Sequence, residues 1–296
     1  MEKSYYAEDM NCLLRNKKIV LFGDTNMKAL YKDFIVLSQH NKLLDSEALN
    51  TKMKESFYGD VSIKNCTGCY QERLYRTPYF HFHFYITKEL YNLYIEKVFN
   101  NMKFELPNII LFNFCLKGIA SWFELEVRKY KISLNKLMKL CQENLPEDCL
   151  LIWITTFPQQ HKNENGLLQL PTELIKNSMC FHVLKANQYT QEIVFKNGYD
   201  ILDAHYYLKD LLYLRETDGI HWFPFAIRLI SKLVLSHISF AFEIPSPLRR
   251  LYSANNSFYE EPQIKTCGCL ISTNWYTVCD FCLNNHLLIK DLNKVK

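Results

Sequence analysis

Long runs of like charge are missing from this chain, and with them the basic stripe that marks a nucleic-acid partner. Lys and Arg number 35 against 31 Asp and Glu, and the net charge of +4 is spread along 296 residues. No internal repeat is found. The first residues, Met-Glu-Lys-Ser-Tyr-Tyr-Ala-Glu-Asp, lack the apolar core of a secretory signal. The longest apolar stretch, Ile227 to Phe242, is interrupted by Arg228, Lys232 and His237, which fits an amphipathic core helix and not a membrane span. The expectation is a soluble, intracellular and cytoplasmic protein.

Eleven cysteines would suggest disulfides in a small secreted domain, but an odd count without a signal favours reduced thiols. Asn65-Cys66-Thr67 and Asn255-Asn256-Ser257 match the glycosylation pattern, which has no meaning in that compartment. What the chain does have is apolar bulk. At 48% hydrophobic and 15% aromatic residues it can bury one sizeable core or two small ones.

The organising stretch is Lys18-Ile-Val-Leu-Phe-Gly-Asp-Thr25. Ile19 to Phe22 are strand formers, Gly23 permits a sharp turn, and Met27, Leu30, Tyr31, Phe34 and Leu37 recur at helical spacing. Thr25 therefore falls between a strand and a helix, where an α/β sheet presents its chemistry and free helical N–H groups can hold an oxyanion. A small polar residue there is more often a plain helix cap than a nucleophile.

Further apolar runs predict strands at 80–86, 108–112, 149–154 and 199–203, with helical patterns between them. The spacing predicts a helix around Leu90 to Val98, another capped by Ser133, one after Pro171 and a last one after Pro224. Asp45 to Arg76, with Gly59 and Gly68, predicts a long loop or irregular insertion. The alternation implies one α/β domain over residues 1–245 with a parallel sheet covered on both faces. Residues 246–296 lose the pattern and are expected to form an irregular tail.

Three groups of residues suggest chemistry. His81 and His83 share one face of a strand, a packing pattern more than a metal site. Cys267, Cys269, Cys279 and Cys282 form C-x-C-x9-C-x2-C; they are weak zinc candidates, since the first pair is tight and the loop short, and unpaired thiols are the simpler reading. Cys66-x2-Cys69 is weaker still. No cofactor is expected. The third group is Asp218-Gly219-Ile220-His221, where a carboxylate three residues ahead of an imidazole can take the Nδ1 proton and aim Nε2 at a nucleophile. Thr25, His221 and Asp218 would be attacker, base and orienter. Asn113, ending a neighbouring strand, would join the Thr25 backbone N–H as oxyanion donor.

The chain resembles the PC-esterase domain-containing proteins of the GDSL or SGNH hydrolase superfamily. The resemblance spans about residues 5 to 245 and rests on Val20 to Thr25, Ala29 to Asp33, Asn113 with Cys115-Leu116, Cys149 to Trp153, Asp203-Ala-His205 and Asp218 to Trp222. It implies a flavodoxin-like three-layer α/β/α fold and a serine-esterase mechanism acting on acylated carbohydrate or protein. In the family the first block reads G-D-S, so Gly23 and Asp24 match and Thr25 stands at the serine. Lys117-Gly118 replaces a W-D pair, and Tyr70-Gln71-Glu72 a Y-R-E triplet. Threonine keeps the hydroxyl, but its methyl stiffens χ1 and crowds a tetrahedral intermediate. Two functions follow: an O-acyl ester hydrolase of weak activity, or a pseudoenzyme that binds an acylated ligand or partner without turnover. Oligomeric state is not legible.

Overall fold

The computed structural model describes residues 5–51, 53, 56–66, 70–87, 89–114, 124–159, 173–216 and 221–245. A seven-stranded sheet runs through them in the order β2-β3-β4-β1-β5-β6-β7. Its strands are β1 (Lys18–Gly23), β2 (Val61–Cys66), β3 (Tyr70–Arg76), β4 (His81–Ile86), β5 (Ile109–Asn113), β6 (Leu150–Ile154) and β7 (Asp200–Leu202). The five strands from β4 to β7 in that order are parallel, whereas β3 and β2 extend the edge as antiparallel strands.

The parallel strands form where the sequence is a continuous apolar run, because helices cover both faces. On one face, Ile19, Leu21, Ile109, Leu111, Ile152 and Leu202 pack under α1 (Ala7–Leu13), α2 (Thr25–His40) and α8 (Pro224–Ala241). On the other, Val20, Phe22, Ile110, Phe112 and Trp153 meet α4 (Leu93–Met102), α5 (Glu124–Asn144) and α6 (Glu173–Lys196). Two short helices, α3 (Ser46–Asn50) and α7 (Ala204–Leu208), complete the set used below. The layering is the expected three-layer α/β/α fold.

Three expectations are corrected. The stretch from Asp45 to Arg76 is not an irregular loop: it holds α3, β2 and β3. Ser133 does not cap a helix, since α5 already begins at Glu124 and passes through it. The helix near residue 90 starts at Leu93, where the Asn92 side chain accepts from the N–H groups of Tyr94 and Ile95 at 3.1 and 3.0 Å. The expected tail of 246–296, with its four cysteines, lies outside the described residues.

α8 has the length and apolarity of a membrane span, yet half of it is buried within the protein. Pro224 occupies its first turn, where the missing N–H is harmless. Its Arg228 forms an ion pair with Asp33 of α2 at 2.9 Å, which is the behaviour of a core helix.

Candidate active site

β1 is the central strand, buried throughout, and it ends where β5 presses closest. Gly23 is in register with Asn113 of β5 and Ile86 of β4. A Cβ at Gly23 would stand 2.1 Å from the Asn113 carbonyl oxygen and 2.6 Å from Met27 Cβ, so only glycine lets the strand end lie this near both neighbours. The chain then turns into α2. Asp24, not Thr25, is the cap: its carboxylate accepts from the Asn26 N–H at 3.3 Å, and its carbonyl from the Lys28 N–H at 2.8 Å. Thr25 is left half-buried as the first helical residue. Its hydroxyl makes no hydrogen bond among the described residues.

Asn113 stands at the expected place but does something else. It is fully buried, and its Nδ2 donates to the carbonyls of Ile154 and Thr155 at 3.1 Å each. Both amide hydrogens are thereby committed, and the amide straps the end of β5 to the end of β6. The expected oxyanion donor is in this geometry a structural tie.

Neighbouring strand ends are braced in the same way. Thr155 Oγ1 donates to Asp203 Oδ1 at 3.0 Å and accepts from the His205 N–H at 2.9 Å, while Asp203 also caps α7 through the Tyr206 N–H at 3.1 Å. Burial holds the His205 imidazole below its ordinary pKa, against the pull of Asp203.

His221 lies between this rim and α8, half-buried. The Glu216 N–H donates to its carbonyl at 2.9 Å, Arg215 and Trp222 form an antiparallel bridge around it, and the Phe223 N–H donates to Leu214 at 2.8 Å. Asp218 lies outside the described residues. Thr25, Asn113 and His221 thus all sit on segments that leave or flank the carboxyl ends of parallel strands, where open α/β sheets bind their ligands.

The strand histidines are packed, as their pattern implies. His83 Nε2 lies 2.7 Å from Glu72 Oε1, and its Nδ1 lies 3.3 Å from the Tyr85 hydroxyl. His81 Nε2 is 3.5 Å from Glu105, and burial keeps its pKa below the ordinary value. No group of three metal-ligating side chains occurs among the described residues. Sequence reasoning missed the residues that hold this rim: Arg215, Gln159 and Thr155 offered no motif, and only Asp203 belonged to one.

The fold defines the class, a three-layer α/β/α protein with a mostly parallel sheet. Within it, the chain is a relative of the PC-esterase domain-containing proteins. It is 27% identical to human PC-esterase domain-containing protein 1A over 256 residues, covering 83% of this chain and 56% of that protein. With mouse protein 1B it shares 28% identity over 259 residues, covering 82% of this chain and 60% of that protein. The chain therefore spans less than two thirds of the length of these relatives. No protein-family model matches it. Among solved structures, an acetylxylan esterase from Geobacillus stearothermophilus has a TM-score of 0.45 at 9% identity, covering 77% of this chain and 96% of that one.

Proposed function

We propose that this chain is a carboxylic-ester hydrolase of the SGNH type acting on O-acyl groups of a carbohydrate or protein, with Thr25 in place of the usual serine. One observation carries the reading. Asp24 supplies the helix cap, which leaves the Thr25 hydroxyl unengaged at the carboxyl end of the central strand, at the amino terminus of α2.

The chemistry would run in two halves. Thr25 Oγ1 attacks the ester carbonyl while His221 takes its proton, with Asp218 holding the other ring nitrogen. The ester oxygen leaves with that proton as an alcohol, and the acyl group stays on Thr25. Water, deprotonated by His221, then releases the acid and restores the threonine. With the Asn113 amide held by β6, the Thr25 backbone N–H is the donor left for the oxyanion. Catalytic hydrogen bonds are often long before substrate binds, which accommodates the unengaged Thr25 hydroxyl.

A second reading is favoured by a different observation, the commitment of both Asn113 amide hydrogens to Ile154 and Thr155. A site with a stiff nucleophile and one oxyanion donor fewer can bind an acylated ligand without turning it over.

The test is fluorophosphonate labelling and short-acyl ester hydrolysis by wild type and Thr25→Ser. Labelling at residue 25, with turnover rising in the serine variant and lost again in Thr25→Ser/His221→Ala, is the expected result. A folded Thr25→Ser that neither labels nor hydrolyses overturns the hydrolase reading and leaves the binding one.

A further inference from the structure

Two backbone contacts fix the backbone at His221. Arg215 and Trp222 face each other as bridge partners, and the Glu216 N–H donates to the His221 carbonyl at 2.9 Å. Backbone contacts on either side of it do not by themselves aim an imidazole. The segment has to be fixed to something rigid.

That attachment is made by the bridge residues themselves. The Arg215 side chain reaches the segment just past β6, where Nη1 donates to the Pro158 carbonyl at 3.3 Å and Nη2 donates to Gln159 Oε1. Its guanidinium also stands 5.7 Å from the centre of the Trp222 ring. Trp222, only 1% exposed, in turn meets Phe157 edge to face at 6.0 Å and 87°. Phe157, Pro158 and Gln159 come two residues after β6, whose own position is set by pairing with β5 and β7. Arg215 is 6% exposed and Gln159 5% exposed, so these contacts work away from water, where they are strongest.

We propose that Arg215 is a positioning residue for His221: its planar fork ties the Arg215–Trp222 bridge beside His221 to the segment that follows β6 and so fixes the imidazole relative to Thr25. This rests on the reading of His221 as general base. The residue type suits the task. A guanidinium can bond two acceptors in its plane while its face lies against an indole, and a lysine ammonium cannot do both. The precision required is high, because a displacement of about 1 Å between reacting groups costs about 100-fold in rate.

The test uses Arg215→Lys and Gln159→Leu, each made in the full wild-type chain and in Thr25→Ser. Gln159→Leu removes an acceptor of the fork without touching the arginine, so it carries the test if Arg215→Lys does not fold. Two properties are measured on folded protein: the His221 ring signals and their pH titration by NMR, and kcat and KM for p-nitrophenyl acetate in the Thr25→Ser pair. The expected result is a moved His221 titration and a kcat lowered about 10- to 100-fold, with KM nearly unchanged. Arg215→Lys and Gln159→Leu together should lower kcat by less than the product of the two separate effects, because they break one clamp. A role confined to stability would lower the melting temperature and leave the titration and kcat of the folded protein as they were. That outcome overturns the proposal. If Thr25→Ser is itself silent, the hydrolase reading fails, and the NMR titration still decides whether Arg215 sets the imidazole.

Discussion

Arg228 of α8 holds Asp33 of α2 in a two-pronged grip across 195 residues of sequence, Nε to Oδ2 and Nη2 to Oδ1, both at 2.9 Å. Nη2 also donates to the Lys42 carbonyl at 2.6 Å. Asp33 is 1% exposed and Arg228 8% exposed, so each charge is tolerated only because the other is present. The two helices that start beside Thr25 and His221 are thereby locked to each other behind the candidate site.

Breaking one side of that pair should cost far more than removing both. Asp33→Leu or Arg228→Met alone leaves a buried charge without its counterpart and is expected to destabilise by about 3–5 kcal/mol. The double replacement should recover much of the loss, since no bare charge remains. Urea unfolding of the three variants checks this; single losses that simply add in the double variant would contradict it.

Stability should fall on mild acidification because two histidines are held neutral. Burial lowers the pKa of both His81 and His205 below the ordinary 6.5. A group whose folded pKa is depressed adds stability that is complete above the unfolded pKa and disappears as pH falls through the folded one. The urea midpoint should therefore drop as pH falls below 6.5. Replacing both with glutamine should flatten that slope. Glu105, whose pKa is lowered by Lys18 and His81 against the opposing effect of burial, acts only below its ordinary 4.5, so its contribution falls in a separate, more acid window.

The elements that were legible from sequence are those whose residues are apolar for reasons of burial alone. β1, β5 and β6 appear as unbroken apolar runs because a central parallel strand meets a helix layer on each face. β2 and β3 were hidden because an edge hairpin carries charged and polar side chains such as Lys64, Glu72 and Arg73, and Gly59 and Gly68 beside them suggest a loop. Arg73 shows why polarity misled: it is 1% exposed, and its Nε and Nη2 both bond Asp60 at 2.6 Å, a pairing that no local pattern announces. Arg228 was read correctly as part of an amphipathic core helix, but its partner Asp33, 195 residues away, was not legible. At the site, the positions of Thr25, Asn113 and His221 could be read from strand ends. The partner of the Asn113 amide could not, because it lies 41 residues away on another strand.

Gly23 should accept no side chain. The 2.1 Å approach that a Cβ would make to the Asn113 carbonyl involves backbone in register within the central sheet, which cannot swing aside as a flexible side chain would. Gly23→Ala is expected to destabilise by about 3 kcal/mol, at the upper end for overpacking, and to part β5 from β1 at the rim. Urea unfolding and amide exchange at the ends of β1 and β5 measure both effects, and a variant as stable as wild type would show that the strands separate at little cost.

Asn113 offers the sharpest distinction between a structural tie and an oxyanion donor, because the two roles fail differently. Its Nδ2 bonds two buried carbonyls, those of Ile154 and Thr155, and its truncation leaves both short of a donor. Each buried group so stranded costs about 1–3 kcal/mol, so Asn113→Ala should destabilise by about 2–6 kcal/mol, with the cavity adding to it. A donor to the oxyanion would instead cost about 100- to 1,000-fold in kcat and leave stability nearly untouched. Made in the Thr25→Ser background, Asn113→Ala is expected to lower the melting temperature strongly and to change kcat of the remaining folded protein by less than tenfold. The opposite pattern, a stable protein with turnover reduced a hundredfold or more, would mean that the amide leaves Ile154 and Thr155 when substrate binds and turns toward the first turn of α2. Asn113→Asp separates the cases further. A carboxylate cannot donate to either carbonyl and would set a negative charge against both, so a tie at this position predicts a loss of stability at neutral pH larger than that of alanine.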